Sequence, residues 1–181
     1  MTSTGIPAGH SVESEEVADR LDRLYCYHLM MVQWSIAVGS RLTDSPQLPL
    51  ADHHRDAQAH LEAAIRLASR VAELGGTVTA DPSDIAYRAP IDSVELPDNP
   101  ADTHRTLVQL RRLTTAAITA YRALLETVRE SDPASGQVVE PLLAVAVDRA
   151  ADLALLTADD SLQATKTARA AGKPQDAPET P

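Results

Sequence analysis

The chain has 181 residues, of which 44% are hydrophobic and only 3% aromatic, with no phenylalanine. This length is enough for one domain with its own core, and the composition excludes a disordered or fibrous chain. Its 26 acidic and 16 basic residues give a formal net charge of −10, which opposes broad electrostatic binding to nucleic acid or to an anionic membrane.

The first 41 residues predict a flexible N-terminal arm, 1–13, followed by a long helix. The arm has neither the basic start nor the apolar core of a signal peptide. Cys26 is the only cysteine, which suits a reducing compartment, so we expect a cytoplasmic protein. The segment from Leu24 to Gly39 is apolar on nearly all sides but shorter than the roughly 20 residues that cross a bilayer. It therefore predicts a helix covered by its own bundle and by another subunit.

The second predicted helix spans 51–74 and ends at Gly75–Gly76, a typical C-terminal signal. Its first turns carry the most metal-like stretch of the chain, with Asp52, Asp56 and His60 spaced four residues apart. Such a row can hold a metal ion, but it is more typical of a solvated helix face whose Asp residues complement the helix dipole.

His28 lies on the apolar stripe of helix one. This position favours a hydrogen-bonded core or interface histidine over the alternative, a ligand of a metal site together with Asp56 and His60. Both interpretations stay open at this point.

A long connection, "TVTADPSDIAYRAPIDSVELPDNP", follows helix two and contains a short capped helix at "DPSDIAYR". Asn99 and Pro100 predict the start of helix three. Helix four follows "SDPASG", and Pro141 either begins its regular part or kinks it. Residues 161–181 have the composition of a flexible tail. Two hairpins of long helices joined by a long crossover predict an all-α, ferritin-like four-helix bundle over 14–160, with a plain up-down bundle as the alternative.

Two segments resemble one family within this class. "AIRLASRVAELGGTV" is similar to the D-x-x-A-E-R-x-x-x-L-G-G ending of helix two in the Dps family, the DNA-binding proteins from starved cells. "VQWSIAVG" resembles the H-W-N-x-x-G segment of helix one in that family. The short helix in the crossover falls where Dps proteins place one, and the resemblance covers Leu21 to Ala158.

The resemblance implies a bundle that assembles into a hollow dodecameric shell, oxidises Fe(II) with peroxide and stores the ferric mineral. In the family the ferroxidase site lies between subunits and uses a histidine of helix one with Asp and Glu four residues apart on helix two. These positions fall on Gln33, Ile65 and Ser69. Gln is a poor iron ligand, Ile is none and Ser is weak. The usual ferroxidase site is therefore predicted to be lost, while Trp34 is expected to anchor an interface.

A bacterioferritin-type site inside the bundle is also predicted to be absent, because helix four contains no Glu-x-x-His pair. Iron remains the possible metal cofactor. Any ferroxidase activity would use a non-standard site and be weak, so whether the chain is an enzyme stays open.

Three hypotheses follow. The first is a Dps-like shell-forming protein associated with iron storage and protection against oxidative stress. The second is a non-enzymatic structural or DNA-interacting bundle that co-assembles with an active paralogue. The third is a different metal-dependent enzyme built around His28, Asp56 and His60. DNA binding is expected to be weak at most, because the tail offers only Lys166, Arg169 and Lys173 against two acidic residues.

Overall fold

The computed structural model describes residues 12–40, 50–91 and 103–171 and contains five helices in that part of the chain. Four helices are long and one is short. They are α1 (Val12–Gly39), α2 (Leu50–Glu73), α3 (Pro82–Arg88), α4 (Thr103–Val128) and α5 (Pro133–Ala171). The predicted cap of helix three at Asn99 and Pro100, and most of the predicted N-terminal arm, lie outside the described residues.

The four long helices form two hairpins, α1 with α2 and α4 with α5. The hairpins meet where α1 packs on α4 and where α2 approaches α5, and the second of these contacts is the sparser. The crossover from α2 to α4 carries α3 and packs on α1. This arrangement confirms the predicted all-α bundle with a long crossover and a short helix within it. None of the described helices is both long and apolar enough to cross a membrane.

The core lies between the long helices and consists of aliphatic side chains with few aromatic rings. Its largest fully buried members are Leu21, Leu24, Met31, Leu67, Leu107, Leu110, Tyr121 and Leu124. Each comes from a stripe with helical spacing, so burial of this stripe accounts for the bundle.

Helix α2 ends as its two glycines predict. Gly75 has a φ of 79°, the left-handed conformation that glycine adopts without strain. The Gly75 N–H donates to the Ala72 carbonyl and the Gly76 N–H to the Val71 carbonyl, both at 2.9 Å. These two bonds satisfy carbonyls at the helix end. A Cβ on Gly76 would lie 3.1 Å from the Cβ of Ala18, so the glycine also allows α1 to approach closely.

The crossover is held to α1 by one buried carboxylate. Asp22 accepts hydrogen bonds from the Thr79 backbone N–H at 2.8 Å, the Thr79 hydroxyl at 2.7 Å and Arg88 Nε at 2.9 Å. Asp81 caps α3 by accepting from the Ser83 N–H at 2.9 Å. Because these contacts fix both ends of 79–88, the connection follows a defined path along α1.

Helix α5 is longer than predicted. Pro133 stands in its first turn, Pro141 lies inside it, and the helix continues to Ala171. Residues 161–171, predicted as the start of a flexible tail, are therefore helical. "LQATKTARAA" contains good helix formers and no glycine or proline before Gly172. Residues 172–181 lie outside the described part.

Candidate functional site

Two histidines meet in the middle of the bundle. His28 on α1 is buried, and its Nδ1 lies 2.9 Å from Nδ1 of His60 on α2. Since two unprotonated nitrogens cannot form a hydrogen bond, one imidazole must donate its Nδ1 proton to the other. The packing of α1 on α2 therefore produces a shared hydrogen bond from two residues 32 positions apart.

Two tyrosines enclose this pair. The hydroxyl of Tyr121 on α4 lies 2.5 Å from Nε2 of His28. The ring of Tyr27 stands edge-on to both imidazoles, with centroid distances of 5.2 Å to His28 and 6.0 Å to His60. Tyr121, His28 and His60 thus form one hydrogen-bonded chain across three helices.

These groups are uncharged at neutral pH. Burial lowers the pKa of His28 well below its ordinary value, and the neighbouring His60 lowers it further. Burial lowers the pKa of His60 to about 4, helped by the positive charge of Arg149. Burial also raises the pKa of Tyr121 and that of Tyr27. The low-dielectric interior thus favours the neutral form of every member.

An ion pair between Arg149 and Asp56 borders the histidine and tyrosine cluster on its α5 side. Arg149 Nη1 donates to Asp56 Oδ1 at 2.7 Å, and Nη2 donates to Oδ2 of the same carboxylate. This two-bond arrangement joins α2 to α5 where their packing is sparse. The two charges neutralise each other beside the uncharged histidines and tyrosines.

A cavity of about 200 Å³ lies between these groups. Its polar lining comes from Tyr27, His28, His60, Thr114, Tyr121 and the Asp56–Arg149 pair. Its apolar lining comes from Ala59, Ala63, Leu142, Val145 and Ala146. We refer to it below as the bundle cavity.

The structure brings two of the three predicted metal ligands together but does not arrange all three around one point. His28 and His60 bond to each other, whereas Asp56 is paired with Arg149. No group of three or more His, Cys, Asp or Glu side chains within the described ranges is arranged to hold a metal ion. The positive charge of Arg149 also opposes a cation there. These residues do not fit an iron ion as they stand, and their metal role stays a prediction.

The positions of the expected ferroxidase ligands lie on the outer side of α1 and α2. Gln33 and Ser69 are exposed, and Ile65 is 58% exposed. The Ser69 hydroxyl donates to the Ile65 carbonyl at 3.0 Å. The loss of the site stays a prediction, but all three residues face outwards, as an inter-subunit position requires.

Trp34 lies inside the bundle rather than on its surface. Its side chain is 5% exposed and belongs to the core cluster, and the indole N–H has no acceptor among the described residues. The predicted interface role stays untested, because one chain shows no subunit contact.

Sequence reasoning did not identify Tyr121 or Arg149 as members of a site. In the sequence, Tyr121 and Arg149 each lie at helical spacing from apolar residues, Tyr121 with Leu124 and Arg149 with Leu142 and Leu153. An arginine on an otherwise apolar stripe is the available signal, because a partly buried cation requires an acidic partner. The partner, Asp56, lies 93 residues away in sequence.

No family model matches the chain, and no curated protein matches it either. Solved structures do. A dodecameric thioferritin, a bacterioferritin-related protein of Bacteroides fragilis, matches with a TM-score of 0.76 at 15% identity, over 84% of this chain and 90% of that one.

Two Dps structures match similarly. The Dps protein of Vibrio cholerae O1, described as a ferritin-like diiron-carboxylate protein, gives a TM-score of 0.73 at 13% identity, over 86% of this chain and 98% of that one. A variant of Mycobacterium smegmatis Dps1 gives 0.70 at 15% identity, over 80% and 97%. With these matches the four long helices, their order and the crossover identify the chain as a ferritin-like four-helix bundle of the kind found in Dps and bacterioferritin-related proteins.

Proposed function

We propose that this chain is a shell-forming ferritin-fold protein, associated with iron storage and protection against oxidative stress, that lacks the usual inter-subunit ferroxidase ligands. The fold supports the first part, since the similar thioferritin is described as dodecameric. The residues at Gln33, Ile65 and Ser69 support the second part, because none supplies a strong iron ligand.

The observation that carries the proposal is apolar surface left uncovered in a single chain. Ile36 on α1 is 54% exposed, and Leu61 and Ile65 on α2 are 45% and 58% exposed. Leu61, Ile65 and Ser69 are spaced by four residues and so share one stripe of α2. Exposed apolar side chains grouped in this way are typical of a protein–protein interface. A second copy of this chain is the occupant we propose.

A second exposed apolar region lies on α5. Leu155 is 71% exposed and Leu156 is 37% exposed. A two-fold dimer needs one self-complementary patch, whereas a closed shell needs at least one further kind of contact. Exposed apolar side chains on more than one helix therefore favour a shell over a simple dimer.

Assembly is tested by sedimentation equilibrium of the purified chain. We expect a species of about twelve times the mass of the 19.4-kDa chain, with no metal required for its formation. A monomer at all concentrations would contradict the shell.

The loss of the ferroxidase site is tested by restoring it. We expect the triple variant Gln33→His, Ile65→Asp, Ser69→Glu to oxidise Fe(II) with peroxide about tenfold faster than the unmodified chain or more, because supplying metal ligands raises metal affinity by at least the 10- to 100-fold seen for supporting residues. The measurement is the growth of ferric absorbance after anaerobic addition of Fe(II). The double variant Ile65→Asp, Ser69→Glu is the control. If the unmodified chain already oxidises Fe(II) rapidly and the triple variant is no faster, the site was not lost. If both are equally slow, the three substitutions do not account for the loss.

A further inference from the structure

Most polar groups that line the bundle cavity already have a hydrogen-bond partner. Tyr121 bonds to His28, and the Thr114 hydroxyl donates to a backbone carbonyl of its own helix at 2.9 Å. Asp56 holds Nη1 and Nη2 of Arg149, and Arg149 Nε is fully enclosed, so a molecule in the cavity does not reach it. A bound molecule therefore has to find its hydrogen bonds elsewhere on the lining.

Two polar atoms of the lining remain without a partner. The Tyr27 hydroxyl and His60 Nε2 form no hydrogen bond with a described residue, yet neither atom is fully enclosed as Arg149 Nε is. Both atoms are therefore open to a small molecule. Tyr27 is only 3% exposed and lines the cavity. Because a polar group buried to this degree is costly without a partner, the Tyr27 hydroxyl favours a ligand that bonds to it.

The direction of the histidine hydrogen bonds decides what His60 offers to a ligand. If Tyr121 donates to His28 Nε2, then His28 donates to His60, and His60 carries its proton at Nε2. If the bonds run the other way, His60 Nε2 is an acceptor. A hydroxyl group both donates and accepts, so it suits either arrangement as well as the Tyr27 hydroxyl. The polar end of the cavity therefore favours a hydroxyl over a group that only donates or only accepts.

The rest of the cavity is apolar and defines the body of the ligand. Its aliphatic lining consists of Ala59, Ala63, Leu142, Val145 and Ala146. A dry apolar cavity of about 150 Å³ accommodates benzene, so about 200 Å³ has space for one aromatic ring with a hydroxyl. Val145 is 65% exposed, which places the cavity next to the surface between α2 and α5 and gives a ligand a route in.

We propose that the bundle cavity binds a small, mainly apolar molecule whose hydroxyl group bonds to the Tyr27 hydroxyl, with His60 Nε2 as the second polar atom of the site. Phenol is the simplest aromatic member of this class. The proposal does not depend on shell formation or on iron.

The test compares phenol with fluorobenzene, which has nearly the same shape but no hydroxyl. We expect phenol to bind the full-length chain with a dissociation constant of about 1 mM or below, as its seven non-hydrogen atoms allow. Fluorobenzene should bind at least about tenfold more weakly, because it leaves Tyr27 and His60 without a partner. Titration calorimetry measures phenol binding, and fluorine NMR measures fluorobenzene binding. Fluorobenzene binding as tightly as phenol, or no binding of phenol at about 10 mM, would overturn the proposal.

The contact with Tyr27 is tested by Tyr27→Phe. This change removes no hydrogen bond between described residues, so the variant should stay folded, which thermal unfolding checks. Phenol should bind at least about fivefold more weakly to it, as the loss of one hydrogen bond predicts, whereas fluorobenzene binding should not weaken. Tyr25→Phe, on the same helix but outside the cavity lining, should change neither. Unchanged phenol binding in Tyr27→Phe, or equal weakening of both probes, would contradict a hydrogen bond to Tyr27.

Matched variants on α5 locate the binding. Ala146→Leu fills the cavity and should abolish phenol binding, whereas Ala144→Leu, on the same helix but exposed, should leave it unchanged. If Ala146→Leu does not fold, Ala59→Leu at the cavity lining replaces it. Phenol binding that the cavity variant does not change would place the ligand elsewhere and overturn the proposal.

Discussion

At the scale of single residues, His28 and His60 make the folded chain sensitive to acid. Burial lowers the pKa of His60 from 6.5 to about 4 in the folded state and lowers that of His28 in the same direction. Between about pH 6.5 and pH 4 the unfolded chain therefore binds protons that the folded chain does not. The stabilisation is complete above pH 6.5 and is lost as the pH falls towards 4. We expect His60 to lower the free energy of unfolding by roughly 2 kcal/mol between pH 7 and pH 5, and His28 to add to this drop in the same direction.

Urea unfolding at both pH values measures this drop. In the variant His60→Gln, which cannot be protonated, we expect the pH dependence to weaken by the roughly 2 kcal/mol that His60 contributes. His54→Gln is the matched control, because His54 lies on the same helix and is exposed. An unchanged pH dependence in His60→Gln would contradict the assignment of acid sensitivity to the buried pair.

The sequence predicted part of this cluster. The apolar stripe around His28 favoured a hydrogen-bonded core histidine, which is how the structure places it. The row containing Asp56 and His60 was assigned mainly to a solvated face, although His60 turns inwards to His28. Periodicity shows which residues share one helix face, but it does not show which residue of another helix lies opposite. That pairing depends on helix register, which a single sequence does not reveal.

At the scale of helices, one network joins the end of α2 to the start of α5. Arg70 Nη2 donates to Asp132 Oδ1 at 2.7 Å, and Arg70 Nε donates to the Ser135 hydroxyl at 2.9 Å. Asp132 also accepts from the Ser135 backbone N–H at 3.2 Å, as an N-cap of α5 does. The carboxylate therefore caps one helix and pairs with another.

We expect Asp132→Ala to lower the free energy of unfolding by about 2–3 kcal/mol, since it removes a helix cap and a largely buried charged hydrogen bond. Glu73→Ala is the matched control, because Glu73 bonds to the same arginine at 2.7 Å but is 64% exposed. Its loss should cost less than about 0.5 kcal/mol. Equal losses in the two variants, measured by urea unfolding, would show that the cap and the burial of Asp132 do not matter.

The ends of α2 and α3 were predictable because glycine and capping residues act locally. Gly75–Gly76 and "DPSDIAYR" each contain the residues that terminate or start a helix. The anchoring of the crossover was not predictable, because Asp22 and Arg88 are far apart in sequence and meet only after α1 and α3 have packed. The length of α5 also follows from local signals, because the sequence contains no glycine or proline between Pro141 and Gly172 that would end the helix earlier.

At the scale of the whole molecule, the two hairpins pack closely along one side of the bundle and more loosely along the other. α1 and α4 share the aliphatic core, whereas α2 and α5 leave the bundle cavity between them. The outer surfaces of α1, α2 and α5 retain exposed aliphatic side chains despite a net charge of −10. Since like charge on each copy opposes association, a stable shell has to bury enough of this apolar surface to outweigh the repulsion.

Two substitutions distinguish the two apolar regions. Ile65→Glu places a charge on the α2 stripe, and Leu155→Glu places one on α5. In a shell built from two kinds of interface, each variant breaks one kind and leaves the other. We therefore expect each variant to form a species smaller than the shell but larger than a monomer.

Light scattering after size exclusion gives the mass of each species, and Gln137→Glu, exposed on α5, controls for the added charge. The double variant Ile65→Glu, Leu155→Glu should be monomeric, because it loses both contacts. If either single variant is already monomeric, one interface carries the whole assembly. If both single variants still form the complete shell, neither region lies at a subunit contact, and the exposed apolar surface of α2 and α5 must have another partner.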